Sequence, residues 1–185
     1  MLPRGEVSRS GLEPGVRIDP SMLDVLAAES QPSAARADTM RYLSGAEHTS
    51  SQLSAYLSGR GYSTAVVEIV AGWAEENGFV DDARFAAMFV SSHSGRSPMG
   101  SVRLKGELRR RGVPENVADS VLSQREDTEL ISTLVETVKR KYGGLPREVG
   151  FRRASGYLAR RGFTSDLSYR VISRALNVDG EEAHG

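Results

Sequence analysis

A helix-ending pattern that occurs three times most constrains what this chain can fold into. Leucine is followed three residues later by arginine, then by glycine and an apolar residue, at 57–62, 108–113 and 158–163, with spacings of 51 and 50 residues. Glycine can adopt the left-handed backbone that ends a helix and lets the next residue fold back onto the leucine. An apolar i, i+4 pair follows each copy: Val66 and Val70, Val117 and Val121, Leu167 and Val171. A single copy would be typical of any glycine-capped helix, whereas three in one register predict stacked repeats.

Helical periodicity surrounds each copy, and no stretch alternates as a strand would. The sequence therefore predicts an all-α fold of nine helices in three triplets, at 38–78, 79–127 and 128–176. Asp38 is predicted to cap the first helix of repeat one, and Pro114 to occupy the first turn of the helix after Gly112.

The two ends of the chain differ from the repeats. Prolines and glycines among charges predict disorder over 1–20. Within the predicted 1–37 extension, residues 22–26 could form a loosely docked helical turn, which Pro32 would interrupt. Residues 177–185 are a short acidic tail.

Several functional classes lack support in the sequence. Cysteine is absent, which excludes disulfides and thiolate sites and favours a cytoplasmic protein. No apolar run is long enough for a signal peptide or a membrane span. The three histidines have no metal-ligand spacing, and Asp81 and Asp82 precede an apolar helix, as helix-capping acids do. We therefore predict no enzymatic activity, no metal and no cofactor.

Charge is unevenly distributed although 24 basic and 24 acidic side chains balance. Residues 128–176 contain ten basic and four acidic side chains, net +6, whereas 39–78 sum to −2. Arg103 and Arg110 lie seven residues apart on one predicted helix, and Arg153 and Arg160 occupy the matching positions of the next repeat. Three further residues widen this basic strip: Lys105, Arg109 and Arg152.

A strip of arginines suits a phosphate backbone or an acidic protein groove, since the guanidinium fork makes bidentate contacts to either. Ordinary solvated helix charges are the alternative. Nothing in the pattern predicts sequence-specific base reading.

Several motifs resemble the RecX family, regulators of the bacterial recombinase RecA. They are Gly-Phe-Val-Asp-Asp-Ala-Arg-Phe-Ala at 78–86, residues 100–103, Leu108 with Arg-Gly-Val at 111–113, and Arg-Gly-Phe at 161–163. The resemblance spans 39–176. It implies an elongated, curved array of three three-helix repeats without enzymatic activity.

The resemblance also implies a function. The array would lodge in the groove of the RecA–DNA filament, bridge neighbouring subunits and restrain ATP hydrolysis, strand exchange and co-protease action. It would thereby regulate recombination, DNA repair and the SOS response. The expected contacts are Arg103, Arg109, Arg110, Arg111, Arg152, Arg153, Arg160 and Arg161. Arg111 and Arg161 could instead offset the negative ends of their helices.

Two other functions remain open. A stand-alone, non-specific DNA-binding protein would meet single- or double-stranded DNA through the same arginines, and a structural scaffold would not need them. The acidic first repeat could contact RecA protein rather than DNA. In each case we expect a monomer that does not associate with membranes.

Overall fold

The computed structural model describes the backbone of residues 20–95, 98–125 and 127–177, and side chains within 31–95, 98–125 and 129–177. These residues form nine α-helices and no strand. The predictions for 1–19 and 178–185 lie outside the described residues. The helices are α1 (Pro20–Leu43), α2 (Ser50–Gly59), α3 (Thr64–Glu76), α4 (Asp82–Ser92), α5 (Ser101–Arg110), α6 (Glu115–Ser123), α7 (Asp127–Tyr142), α8 (Arg147–Arg160) and α9 (Ser165–Leu176). The all-α fold is confirmed.

Each triplet of helices has its own apolar core, which confirms three three-helix repeats. Leu53 and Leu57 are fully buried in the first core, Leu104 and Leu108 in the second, and Leu158 in the third. Burying one such side chain stabilises the fold by about 1.5–3 kcal/mol. The chain divides into two compact units between Asp81 and Asp82, so that repeats two and three share the second unit.

Helix α1 differs from its prediction. It begins at Pro20 and continues through Pro32 to Leu43, so Asp38 lies inside the helix and is not an N-cap. Proline lacks one backbone donor, which is why the sequence indicated a break there. The Asp38 carboxylate instead accepts hydrogen bonds from Arg41 at 2.7 Å and from the Tyr62 hydroxyl at 2.9 Å.

The predicted helix endings are confirmed at all three glycines, whose φ angles are +89° at Gly61, +81° at Gly112 and +79° at Gly162. In the second repeat the Val113 amide donates to the Leu108 carbonyl at 3.1 Å, and the Gly112 amide donates to Arg109 at 3.0 Å. These two bonds define the Schellman motif.

Pro114 lies one position earlier than predicted. Its ψ of 144° is extended, so it is the N-cap of α6, and its carbonyl accepts the first helical hydrogen bond, from Ala118, at 3.0 Å.

Repeats two and three bury the same positions. From residue 101 to 120 and from 151 to 170, each position has the same degree of burial as its counterpart fifty residues away. Equivalent arginines in the two repeats therefore occupy equivalent surfaces. None of the described helices is both long enough and apolar enough to cross a membrane.

Candidate functional site

Repeats two and three join where the end of α8 meets the start of α5. The Gly100 amide donates to the Arg161 carbonyl at 2.9 Å, and the Val102 amide donates to Gly162 at 3.1 Å. The first amides of one helix thus satisfy the last carbonyls of the other, groups that have no partner within their own helix. We call this junction of residues 100–103 with 161–163 the seam.

Two glycines make the seam possible. A Cβ on Gly100 would overlap the backbone of Gly162 and Phe163, and a Cβ on Gly162 would lie 2.6 Å from the Arg103 nitrogen. The close approach places Arg103 of α5 beside the C-terminal arginines of α8.

A pocket of about 430 Å³ lies at the seam. It is lined by Pro98, Met99, Arg103, Tyr157, Arg160 and Arg161. Three of the nine arginines and lysines predicted to form the site therefore meet in one cavity, although they come from two repeats. We call this cavity the seam pocket.

Tyr157 organises the cations around the seam pocket. The Arg161 guanidinium lies 5.0 Å from the centre of its ring, and the Lys141 ammonium lies 4.6 Å from it. Arg161 also donates to the Pro98 carbonyl at 3.3 Å. An aromatic ring attracts cations and brings no negative charge of its own.

Neither Tyr157 nor Lys141 was among the residues predicted from the sequence. A comparison of repeats two and three at the fifty-residue offset would have singled out Tyr157, because the matching residue is Glu107, a charged group.

The matching arginines of repeat two, Arg110 and Arg111, are paired with a carboxylate. Glu107 accepts hydrogen bonds from Arg110 at 2.6 Å and from Arg111 at 2.8 Å. The hydrogen bond from Arg111 and the charge of Arg110 hold the pKa of Glu107 below its usual range. Arg111 also lies over the Phe89 ring at 4.5 Å. Both arginines are therefore engaged within their own repeat.

Lys105 is likewise engaged. Its ammonium lies 2.8 Å from Glu115 and 2.7 Å from Asp119, both on α6. The hydrogen bonds to Asp119 and Glu115 raise the pKa of Lys105. The structure thus directs this side chain toward α6 and not along the predicted strip.

The remaining five predicted residues are exposed arginines: Arg103, Arg109, Arg152, Arg153 and Arg160. Among the described side chains, none of the five has a carboxylate partner. Arg152 and Arg153 lie earlier on α8, on one side of the seam, and Arg109 lies at the far end of α5. Leu158 is fully buried and Phe151 half-buried, as predicted for the face opposite Arg153 and Arg160.

Metal ligands do not cluster in the described part of the chain, where no group of three or more acidic or histidine side chains could hold an ion. Asp82 is the first residue of α4 and Asp81 immediately precedes it. This position fits the predicted helix start.

Comparisons with known proteins agree on one family. The family model described as "RecX, second three-helix domain" matches residues 81–122, which contain α4, α5 and most of α6. "Regulatory protein RecX" of Thermobifida fusca is 37% identical over 152 residues, covering 80% of this chain and 82% of that protein. The protein of the same name from Halorhodospira halophila is also 37% identical, covering 80% and 91%.

Two solved structures share the fold. The crystal structure of RecX from Lactobacillus salivarius has a TM-score of 0.74 at 18% identity, covering 81% of this chain and 99% of that one. A crystal structure of regulatory protein RecX has a TM-score of 0.71 at 22% identity, covering 90% and 85%.

Proposed function

The chain belongs to the RecX family, and we propose that it binds the RecA nucleoprotein filament and modulates its ATPase, strand-exchange and co-protease activities, with inhibition as the expected direction. It would act without catalysis, as a monomer, in the cytoplasm. Recombination, DNA repair and the SOS response would be regulated through this contact.

The observation that carries the proposal is the run of exposed arginines on either side of the seam. Arg152, Arg153 and Arg160 on α8 and Arg103 and Arg109 on α5 present guanidinium groups to solvent without carboxylate partners among the described residues. Such groups bind phosphate oxygens through paired, charge-assisted hydrogen bonds. A filament carrying DNA offers a line of phosphates.

The first repeat would serve the same function differently. Residues 39–78 carry two basic and four acidic side chains, which disfavours contact with phosphates. We assign this repeat to RecA protein and the second unit to DNA.

The experiment is ATP hydrolysis by RecA assembled on single-stranded DNA, with the full chain titrated at fixed salt. We expect inhibition. The triple variant Arg103→Glu, Arg153→Glu, Arg160→Glu should lose it, because each change replaces a phosphate-binding cation by an anion. Arg174→Glu, an exposed change on α9, is the control. Undiminished inhibition by the triple variant would contradict the proposal.

The stand-alone DNA-binding function gives another pattern. The chain would then bind bare DNA with an affinity that falls steeply with salt, and RecA hydrolysis would not respond to it.

A further inference from the structure

We propose that the seam pocket is the main phosphodiester-binding site for single-stranded nucleic acid, and that the residue at position 107 or 157 decides whether its repeat offers arginines to the ligand. This inference rests on the proposed function only in taking nucleic acid as the ligand of the basic strip. Repeats two and three, which bury equivalent positions, would thus contribute unequally to nucleic-acid binding.

The same helical spacing occurs in both repeats. Glu107 precedes Arg110 and Arg111 by three and four residues, and its two carboxylate oxygens bind one arginine each. Tyr157 precedes Arg160 and Arg161 by the same intervals, and residues at i, i+3 and i+4 share a helix face. Because the two helices bury the same positions, a carboxylate at 157 would reach Arg160 and Arg161 as Glu107 reaches its partners.

Tyrosine at 157 has the opposite effect. Its ring supports Arg161 and Lys141 by cation–π contact, and it brings no negative charge into the seam pocket. Arg103 enters from the other repeat, so arginines from α5 and α8 converge there. Repeat two has a carboxylate at the corresponding place.

The surroundings favour a phosphodiester chain over an acidic peptide. The exposed Arg153 continues this surface along α8, since it lies seven residues before Arg160 and shares its helix face. A nucleic acid carries one charge per nucleotide at a regular spacing and can meet successive cations along such a surface, whereas the carboxylates of a peptide follow no fixed period.

The test uses two variants of the full chain: one adds a carboxylate at position 157, and the other removes the carboxylate at position 107. Tyr157→Glu should lower the affinity for fluorescein-labelled oligothymidylate by about tenfold, since it places a carboxylate within reach of Arg160 and Arg161 in the seam pocket. Glu107→Gln should raise the affinity several-fold, since it removes the carboxylate that pairs with Arg110 and Arg111. The logarithm of the binding constant falls linearly with the logarithm of the salt concentration, and we call the steepness of this fall the salt slope. It should become shallower in the first variant and steeper in the second, by about 0.7 for each phosphate that the protein ceases or begins to neutralise.

Two controls make the same chemical changes elsewhere. Tyr169→Glu on α9 places an acid at a residue that is 54% exposed, and Glu136→Gln on α7 removes an exposed acid outside the seam. Each alters net charge as its counterpart does. Circular dichroism melting of all variants verifies that the fold is retained, and fluorescence anisotropy gives the affinities.

Opposite effects of Tyr157→Glu and Glu107→Gln on oligothymidylate, larger than those of the controls, support the inference. Variants that bind oligothymidylate like their controls overturn it. If Tyr157→Glu abolishes inhibition of RecA but leaves oligothymidylate binding intact, the pocket takes an acidic protein segment and the inference also fails. If oligothymidylate binding follows the two substitutions but RecA hydrolysis never responds to the protein, the inference stands and the proposed function fails.

Discussion

The Asp38 carboxylate joins α1 to the turn between α2 and α3. It is 6% exposed, accepts hydrogen bonds from Arg41 of its own helix and from Tyr62, and pairs with Arg60 at 2.9 Å. Burial by itself raises the pKa of Asp38, yet the bonds from Tyr62 and Arg41 and the charge of Arg60 hold that pKa below its usual value. The ionised carboxylate is thus the form that the fold stabilises.

Replacing Asp38 tests this contribution. Asp38→Asn should lower the free energy of unfolding by about 1–3 kcal/mol, because hydrogen bonds to a buried charged group are removed. Since the folded pKa lies below the unfolded value of about 3.9, the stabilisation is complete above that pH and disappears as pH falls through the folded pKa. Urea denaturation measured from neutral to acid pH should therefore show a smaller loss in Asp38→Asn than in the original chain. Parallel profiles would show that Asp38 stabilises nothing through its charge.

Two of the helices in the second unit depend on each other at their ends. Helix α5 has Gly100 as its N-cap, and no side chain caps it. Carbonyls of Arg161 and Gly162 take up its first amides instead. The start of α5 is therefore stabilised by tertiary structure and not by its own sequence.

Gly100→Ala should disrupt this junction. The φ of −73° suits alanine, so any loss of stability comes from the overlap of its methyl group with Gly162 and Phe163. We expect the second unit to lose about 1–3 kcal/mol, the range for overpacking. Gly106→Ala is the matched control, since a Cβ there meets nothing within 4 Å and should add up to about 1 kcal/mol through helix propensity. Urea denaturation of both variants measures the difference, and equal stabilities would mean that the seam is not closely packed.

The sequence predicted those helix endings that local chemistry determines. Gly112 and Val113 were enough to predict the end of α5, because both hydrogen bonds of the Schellman motif lie within residues 108–113. The interior position of Asp38 could not be predicted in this way, since Tyr62, its partner across the repeat, lies 24 residues further along the chain.

The candidate site was predictable only as a set of residues. Helical spacing placed Arg153 and Arg160 on an exposed face, as the structure has them. The pairing of Arg110 and Arg111 with Glu107 is predictable from the i, i+3 and i+4 spacing of the three residues. The pocket was not predictable, because it depends on the approach of Gly100 to Gly162, which no local pattern records.

At the scale of the molecule, the boundary between the two compact units, after Asp81, also separates the acidic part of the chain from the basic part. The first unit contains the acidic repeat, and the second contains the basic strip and the seam. Two of the three apolar cores belong to the second unit. These features suggest that the second unit can fold and bind by itself.

The fragment 82–185 should therefore melt cooperatively as a helical protein, as followed by circular dichroism. It should bind oligothymidylate with a salt slope close to that of the full chain, because the phosphate contacts are assigned to this unit. The inhibition of RecA should weaken in the fragment, since the first repeat is assigned to RecA protein. A much shallower salt slope for the fragment would place phosphate contacts in the first unit.

The end-to-end meeting of α8 and α5 also has an electrical consequence. A helix C-terminus carries roughly half a negative charge and a helix N-terminus roughly half a positive one. At the seam these partial charges adjoin and largely cancel. A lone helix C-terminus would repel an incoming anion, whereas here the backbone is nearly neutral toward it. The potential in the pocket is thus determined by side chains, so that a single substitution such as Tyr157→Glu can lower it markedly.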